Sequence, residues 1–251
     1  MHTLAFGNHK GGVGKTTTAA NVAVALASRG HRVLAIDADA QANLTHALGI
    51  YPNDIPFTTY EVLLNAERGV DFATVSTAWG VSLVGATRNL AGAERALATH
   101  AGNELLLRTA LHVAPDYDYA LVDCPPGLST LTLNALCAAE AIIVPIQAQG
   151  LALRAMPQLA ETISLAQIAN PSLTLGGIVI TMMTRTRLAQ AVEMETRERF
   201  GAIVFETVIP SSTVIAEAIT YGEPISTYSP GSPGALAYAA LAAELESRYA
   251  P

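Results

Sequence analysis

Apolar positions along this chain fall into two alternating kinds of run. Short runs, apolar at nearly every position, are "TLAFGN", "RVLAID", "VSLVGA", "YALVDC", "AIIVPI", "LGGIVIT" and "IVFETVIP". Such a run reads as a strand covered on both faces, as in a parallel sheet. Between them lie longer stretches in which alanine and leucine recur at helical spacing. "TTTAANVAVALASRG" predicts a helix with Gly30 just past its end. Further helices are expected over 103–113, 131–139, 153–168, 188–200, 214–221 and 235–249. "YPNDIPFTTYEVL" reads as a surface loop before a short helix, and "YSPGSPG" as a loop before the last helix. Strand and helix in alternation imply parallel pairing with right-handed crossovers, and a ligand at the carboxyl ends of the strands. With no repeat at solenoid periods and no convincing linker, residues 1–251 read as one domain. The fold class is α/β: a doubly wound, mostly parallel sheet flanked by helices.

Composition narrows the picture. About half of the 251 residues are hydrophobic, enough for a sizeable core. The formal charge is −7, from 14 basic and 21 acidic residues. An acidic total argues against nucleic acid as the main partner but leaves room for a local basic patch, because binding depends on distribution. Cys124 and Cys137 form no C-x-x-C pair, so neither a disulfide framework nor a zinc site is indicated, and a reducing cytoplasm is the simplest setting. The N-terminus does not read as a signal peptide. No apolar stretch reaches the roughly 20 residues that a membrane helix needs.

The candidate chemistry begins directly after the first strand, in "NHKGGVGKTTTAAN". The phosphate-loop template is G-x-x-x-x-G-K-[ST], between a strand and a helix. His9 replaces its leading glycine, and the rest is present. Gly11, Gly12 and Gly14, with Val13 between them, let backbone amides turn toward phosphate oxygens, and the following helix offers its N-terminus to an anion. Lys15 is placed for the β- and γ-phosphates, Thr16 for Mg²⁺ and Thr17 for the α-phosphate. A glycine-rich turn before an ordinary helix is the alternative, and three glycines, two lysines and three threonines in register argue against it. Lys10 is the second lysine, and the chain has no third.

"KGGVGKTT" resembles the deviant Walker A motif of the ParA/MinD ATPases. That resemblance implies an ATP-sandwich dimer in which Lys10 reaches the phosphates of the partner subunit. The physical reading is compatible, since a cation on the far side of the loop can neutralise a second triphosphate only across an interface. "LAIDADAQANLT" is similar to the family's switch I segment, D-x-D-P-Q-x-N, with Asp37, Asp39, Gln41 and Asn43 matching and Ala40 in place of proline. The resemblance gives Asp39 the task of orienting the attacking water and places Asp37 by the Mg²⁺ shell. An unshifted carboxylate is a weak base, so positioning is the role expected of Asp39. "YALVDCPPGL" resembles Walker B with its switch II turn: Asp123 would hold Mg²⁺, Gly127 would admit backbone close to the γ-phosphate, and Pro125 and Pro126 stiffen the turn. Alone, either aspartate station reads equally as a strand-end turn.

The resemblance covers nearly the whole chain and is nearest to the short ParA/Soj chromosome and plasmid partition ATPases. It implies ATP and Mg²⁺ as cofactors, Pro210 beside the adenine, a homodimer in the ATP state, a ParB-like stimulating protein and non-specific DNA. No N-K-x-D element is present, so ATP is expected rather than GTP. "ALAYAALAAELESRYAP" carries one arginine, unlike a basic membrane-targeting helix. Soj-type chains carry arginines after the Ile-Pro pair; here Ser211 and Val214 stand there, which weakens DNA affinity or shifts it elsewhere. Arg185, Arg187, Arg197 and Arg199 are the remaining basic candidates, with a solvated helix face as the alternative. The expected function is DNA segregation or cargo positioning in the cytoplasm, associated with the nucleoid. A same-fold ATPase or small-molecule P-loop enzyme without DNA binding is the other reading.

Overall fold

The computed structural model describes residues 1–97, 102–149 and 156–250. Among them, eight strands form one sheet: β1 (His2–Phe6), β2 (Val33–Asp37), β3 (Thr74–Ser76), β4 (Val81–Val84), β5 (Tyr119–Asp123), β6 (Ala141–Gln147), β7 (Thr174–Met183) and β8 (Val204–Pro210). The order is β3-β4-β2-β5-β1-β6-β7-β8. All neighbours pair in parallel except β3, which runs antiparallel to β4 at one edge. Each of the seven apolar runs became a strand. β3 went unforeseen because it is three residues long and only partly buried.

The helices are α1 (Lys15–Ser28), α2 (Asn43–Ala47), α3 (Thr59–Leu64), α4 (Ala93–Leu97), α5 (Leu106–His112), α6 (Thr130–Ala138), α7 (Met156–Ala169), α8 (Arg187–Phe200), α9 (Thr213–Thr220), α10 (Ile225–Tyr228) and α11 (Pro233–Arg248). Residues 153–155 of the helix expected over 153–168 lie outside the described residues. The short helices α2, α4 and α10 span too few residues to show a helical period.

Alternation along the strands feeds two cores. Leu34, Ile36, Ala120 and Val122 point to one face, where α3 to α8 pack. Leu4, Phe6, Val33 and Leu121 point to the other, against α1, α2 and α9 to α11. Tyr119, Phe6 and Phe205 are among the largest fully buried side chains. Gly177 permits one close approach, since a Cβ there would stand 2.1 Å from the Phe205 ring.

The β8 edge is closed by side chains. Glu244 of α11 accepts from the Glu206 and Thr207 amides at 2.8 and 2.7 Å, and from the Thr207 hydroxyl. Arg197 of α8 donates to the Phe205 and Glu206 carbonyls at 3.2 and 3.1 Å. Four backbone groups of the edge strand, two donors and two acceptors, are thereby satisfied from within the chain.

Candidate functional site

The site lies along the carboxyl ends of β1, β2, β5, β6 and β7. The turn after β1 needs left-handed backbone at Gly12 (φ 73) and Gly14 (φ 88), which glycine takes without strain. Gly14 is also the N-cap of α1. No side chain caps this helix and no acid sits in its first turn. By contrast, α3, α6, α8 and α11 are capped by Thr58, Ser129, Thr186 and Ser232. An uncapped N-terminus leaves amides free and their partial positive charge uncompensated, which suits a phosphate.

Lys15 is buried at the start of α1, its Nζ 3.4 Å from the Lys10 carbonyl. Thr181 of β7 donates to the Val13 carbonyl at 2.8 Å and holds the loop from beneath. Lys10 is exposed, with its Nζ 3.4 Å from Gln147 Oε1 at the end of β6. The two lysines therefore leave the loop in different settings, one buried under it and one in solvent.

The acidic stations meet because β2 and β5 are neighbours in register, with Asp37 opposite Asp123. Both are fully buried. Thr16 donates its hydroxyl to Asp123 Oδ2 at 2.6 Å, while Asp123 Oδ1 is buried with no hydrogen-bond partner. Burial pushes the Asp123 carboxyl well above its ordinary range, helped by the Asp37 charge and opposed by Thr16 and Lys15. Burial likewise raises Asp37 to about 6, against the hydrogen bonds that favour its charge. Asp37 Oδ1 accepts from the Asp39 amide at 3.1 Å, and Oδ2 from the Thr45 amide and hydroxyl at 2.8 and 2.7 Å. Both oxygens of Asp37 thus shape the turn that carries Asp39. Asp39 is half-buried and accepts from the Gln41 amide at 3.0 Å.

This donor set suits a divalent cation. The donors are all oxygens, two buried carboxylates stand on neighbouring strands in register, and one buried oxygen lacks a partner. That fits a hard ion. No group of three or more His, Cys, Asp or Glu among the described residues could hold a metal. An ion here would need the rest of its shell from phosphate and water, which is how Mg²⁺ is commonly bound.

Beside the loop, a cavity of about 190 Å³ is lined by Thr17, Thr181, Met182, Pro210, Ser212 and Ile215, among others. Met182 takes the left-handed conformation, φ 52, where the β7–β8 register shifts. Pro210 and Thr17 thus share one pocket. Its apolar rim suits a flat ring. Gly127, φ 86, lies within the turn between β5 and α6, with no heavy atom within 4 Å of where a Cβ would stand. Cys124 and Cys137 are buried and free. Sequence reasoning missed Thr45, Thr181 and Gln147, because polar residues at strand ends and turns carry no motif of their own.

The four candidate arginines do not form one patch. Arg185 and Arg187 are exposed in and after the β7–α8 loop and make no ion pair or hydrogen bond among the described residues. Arg197 and Arg199 lie at the far end of α8, about 15 Å away at 1.5 Å per residue. Arg197 is held by Glu193 at 3.0 Å and by the β8 carbonyls. Arg199 is exposed, 5.5 Å over the Phe200 ring.

A family model described as AAA domain matches residues 1–175. Chromosome partitioning protein ParA of Myxococcus xanthus is 41% identical over 99% of this chain and 89% of its own. Sporulation initiation inhibitor protein Soj of Bacillus subtilis is 40% identical over 96% of this chain and 97% of its own. This chain belongs to the ParA/Soj family of P-loop ATPases. A solved structure similar to this ParA/Soj-family chain is that of cobyrinic acid a,c-diamide synthase from Mycobacterium smegmatis with bound ADP and magnesium. It has TM-score 0.85 and 39% identity, over 98% of this chain and 94% of that one. Among the described residues, no helix is long and apolar enough to cross a membrane.

Proposed function

We propose that this ParA/Soj-family chain is a Mg²⁺-dependent ATPase whose ATP-bound form is a sandwich dimer, carried on non-specific DNA and used to segregate DNA or position cargo. The reading places it in the cytoplasm on the nucleoid, as a single domain, with a ParB-like protein stimulating slow hydrolysis. The observation that carries it is the contrast between the two lysines: Lys15 is buried under the loop, and Lys10 is exposed outside it.

In this reading, Gly11, Gly12, Val13, Gly14, Lys15 and Thr16 hold the β- and γ-phosphates. Thr17 meets the α-phosphate, and Pro210 lies against the adenine in the 190 Å³ cavity. Thr16 and Asp123 would hold Mg²⁺, which when bound would supply charge neutralisation at the phosphates. Asp37 fixes the turn behind it through Thr45 and the Asp39 amide. Asp39 orients the attacking water, and Lys10 places its charge on the partner's phosphates. Closing the dimer would also exclude water, which strengthens each of these interactions.

Size measurement with ATP and Mg²⁺ tests this directly. Asp39→Ala is expected to form a dimer that persists because it does not turn over. A variant that stays monomeric with ATP removes the sandwich. The likeness to the diamide synthase supports a second reading, a small-molecule enzyme with no DNA carrier. ATP-dependent retention on random duplex DNA separates the two. Intact dimerisation without retention at low or moderate salt favours the second.

A further inference from the structure

His9 stands where the general phosphate-loop template has glycine, and a glycine there would reach nothing. The imidazole reaches α7: its Nε2 lies 2.6 Å from Thr162 Oγ1. The direction of that bond follows from what lies behind it. Thr162 Oγ1 is 3.0 Å from the Gln158 carbonyl, which can only accept, so the hydroxyl proton goes there. The lone pair of the hydroxyl then faces the ring, and His9 Nε2 donates. Thr162 is 2% exposed, so little water competes for the bond. One residue earlier, Asn8 Nδ2 donates to the Pro145 carbonyl at 2.7 Å, and Asn8 Oδ1 accepts from the Lys10 amide at 3.0 Å.

Beyond Lys10 the next holds are Lys15 Nζ, 3.4 Å from the Lys10 carbonyl, and Thr181 on the Val13 carbonyl. No heavy atom lies within 4 Å of where a Cβ would stand on Gly11 or Gly12. The Lys10 ammonium has one long contact, to Gln147. On its N-terminal side, the direction in which Lys10 leaves the loop is set by Asn8 and His9.

We infer that His9 is a positioning residue for Lys10: its hydrogen bond to Thr162 fixes the backbone so that Lys10 projects toward a second triphosphate rather than its own. The inference rests on the sandwich reading. His9 acts through Lys10, and it belongs to a strut between the loop and the β6–β7 crossover helix. A misplacement of about 1 Å in such a charge can cost on the order of a hundredfold in rate.

The lysine content supplies the readout. Lys10 and Lys15 are the only lysines, so reductive ¹³C-methylation, which keeps their charge, gives one side-chain signal for each beside the terminal amine. In the Mg²⁺–ADP state, His9→Ala is expected to shift and narrow the Lys10 signal and leave that of Lys15 in place. His9→Gln, whose amide can donate to Thr162, restores the parent signal. Thr162→Val, which lacks the accepting oxygen, reproduces the alanine spectrum. In an Asp39→Ala background with ATP, His9→Ala raises the half-dimerisation concentration roughly five- to tenfold, with ADP affinity unchanged. An unmoved Lys10 signal in His9→Ala overturns the inference, as does a glutamine variant displaced as far as the alanine one. If the Asp39→Ala parent fails to dimerise, the sandwich reading falls, while the Lys10 signal still decides the role of His9.

Discussion

At the residue scale, the buried aspartate pair governs how the site responds to pH. Asp37 holds its proton up to about pH 6, whereas an unfolded aspartate loses it near 3.8. Between those values the unfolded chain releases its proton first. The Asp37 contribution to the stability of the metal-free protein therefore falls as pH rises from about 4 to about 6, then stays level. A divalent ion favours the ionised pair, so proton and metal compete. Mg²⁺ affinity measured by calorimetry with ADP present is expected to drop as pH falls below about 6. An affinity flat between pH 5 and 8 contradicts this assignment. Lys15→Ala is expected to abolish nucleotide binding, since among the described residues no other cation is buried at the loop; retained ADP binding in equilibrium dialysis contradicts it. The motif residues of this site were legible from the sequence. Thr45 was not, because its task depends on β2 and α2 bringing it to Asp37. The free oxygen of Asp123 was likewise invisible, since a lack of partners is a property of packing.

At the element scale, Arg197 shows why four arginines could not be sorted from spacing alone. On α8 it reads as a basic residue on a solvated face, but the strand beside α8 is the last in the sheet, and its carbonyls need donors. Removing Glu244 leaves two edge amides and a hydroxyl without their charged acceptor. Glu244→Ala is expected to lose about 1–3 kcal/mol in urea unfolding. Arg197→Ala is expected to fall by a similar amount without changing DNA retention, whereas Arg185→Ala should change retention and leave stability within about 0.5 kcal/mol. The reverse pattern contradicts the division. The long helices and seven strands were readable because their periods persist over many residues. The three-residue β3 and four-residue α10 exist only through the neighbours they pack against.

At the scale of the whole molecule, charge limits how DNA could be held. With a net charge of −7, long-range attraction to a duplex is poor, and apart from Lys10, Arg185 and Arg187 are the exposed basic residues near the nucleotide rim among the described residues. Two such residues in each half of a dimer give about four phosphate contacts and a log–log salt slope near −4, so retention should weaken on the order of a hundredfold between about 50 and about 200 mM salt. A filter-binding series that shows no salt dependence contradicts this. Fold and nucleotide chemistry were legible because parallel sheets and phosphate loops are written in contiguous residues. Cargo is not, because surface distribution is set by the whole fold.

The closed edge at β8 bears on crowding. A sheet with open hydrogen-bonding groups at its end invites a neighbour to add a strand, and a chain that gathers densely on one surface meets such neighbours often. Glu244 and Arg197 occupy four of those groups at β8, and β3 at the opposite end offers only three residues, so both ends of the sheet disfavour filament growth by strand addition. Local accumulation can then rise without hardening into fibrils, and self-association is left to surfaces that can be released again.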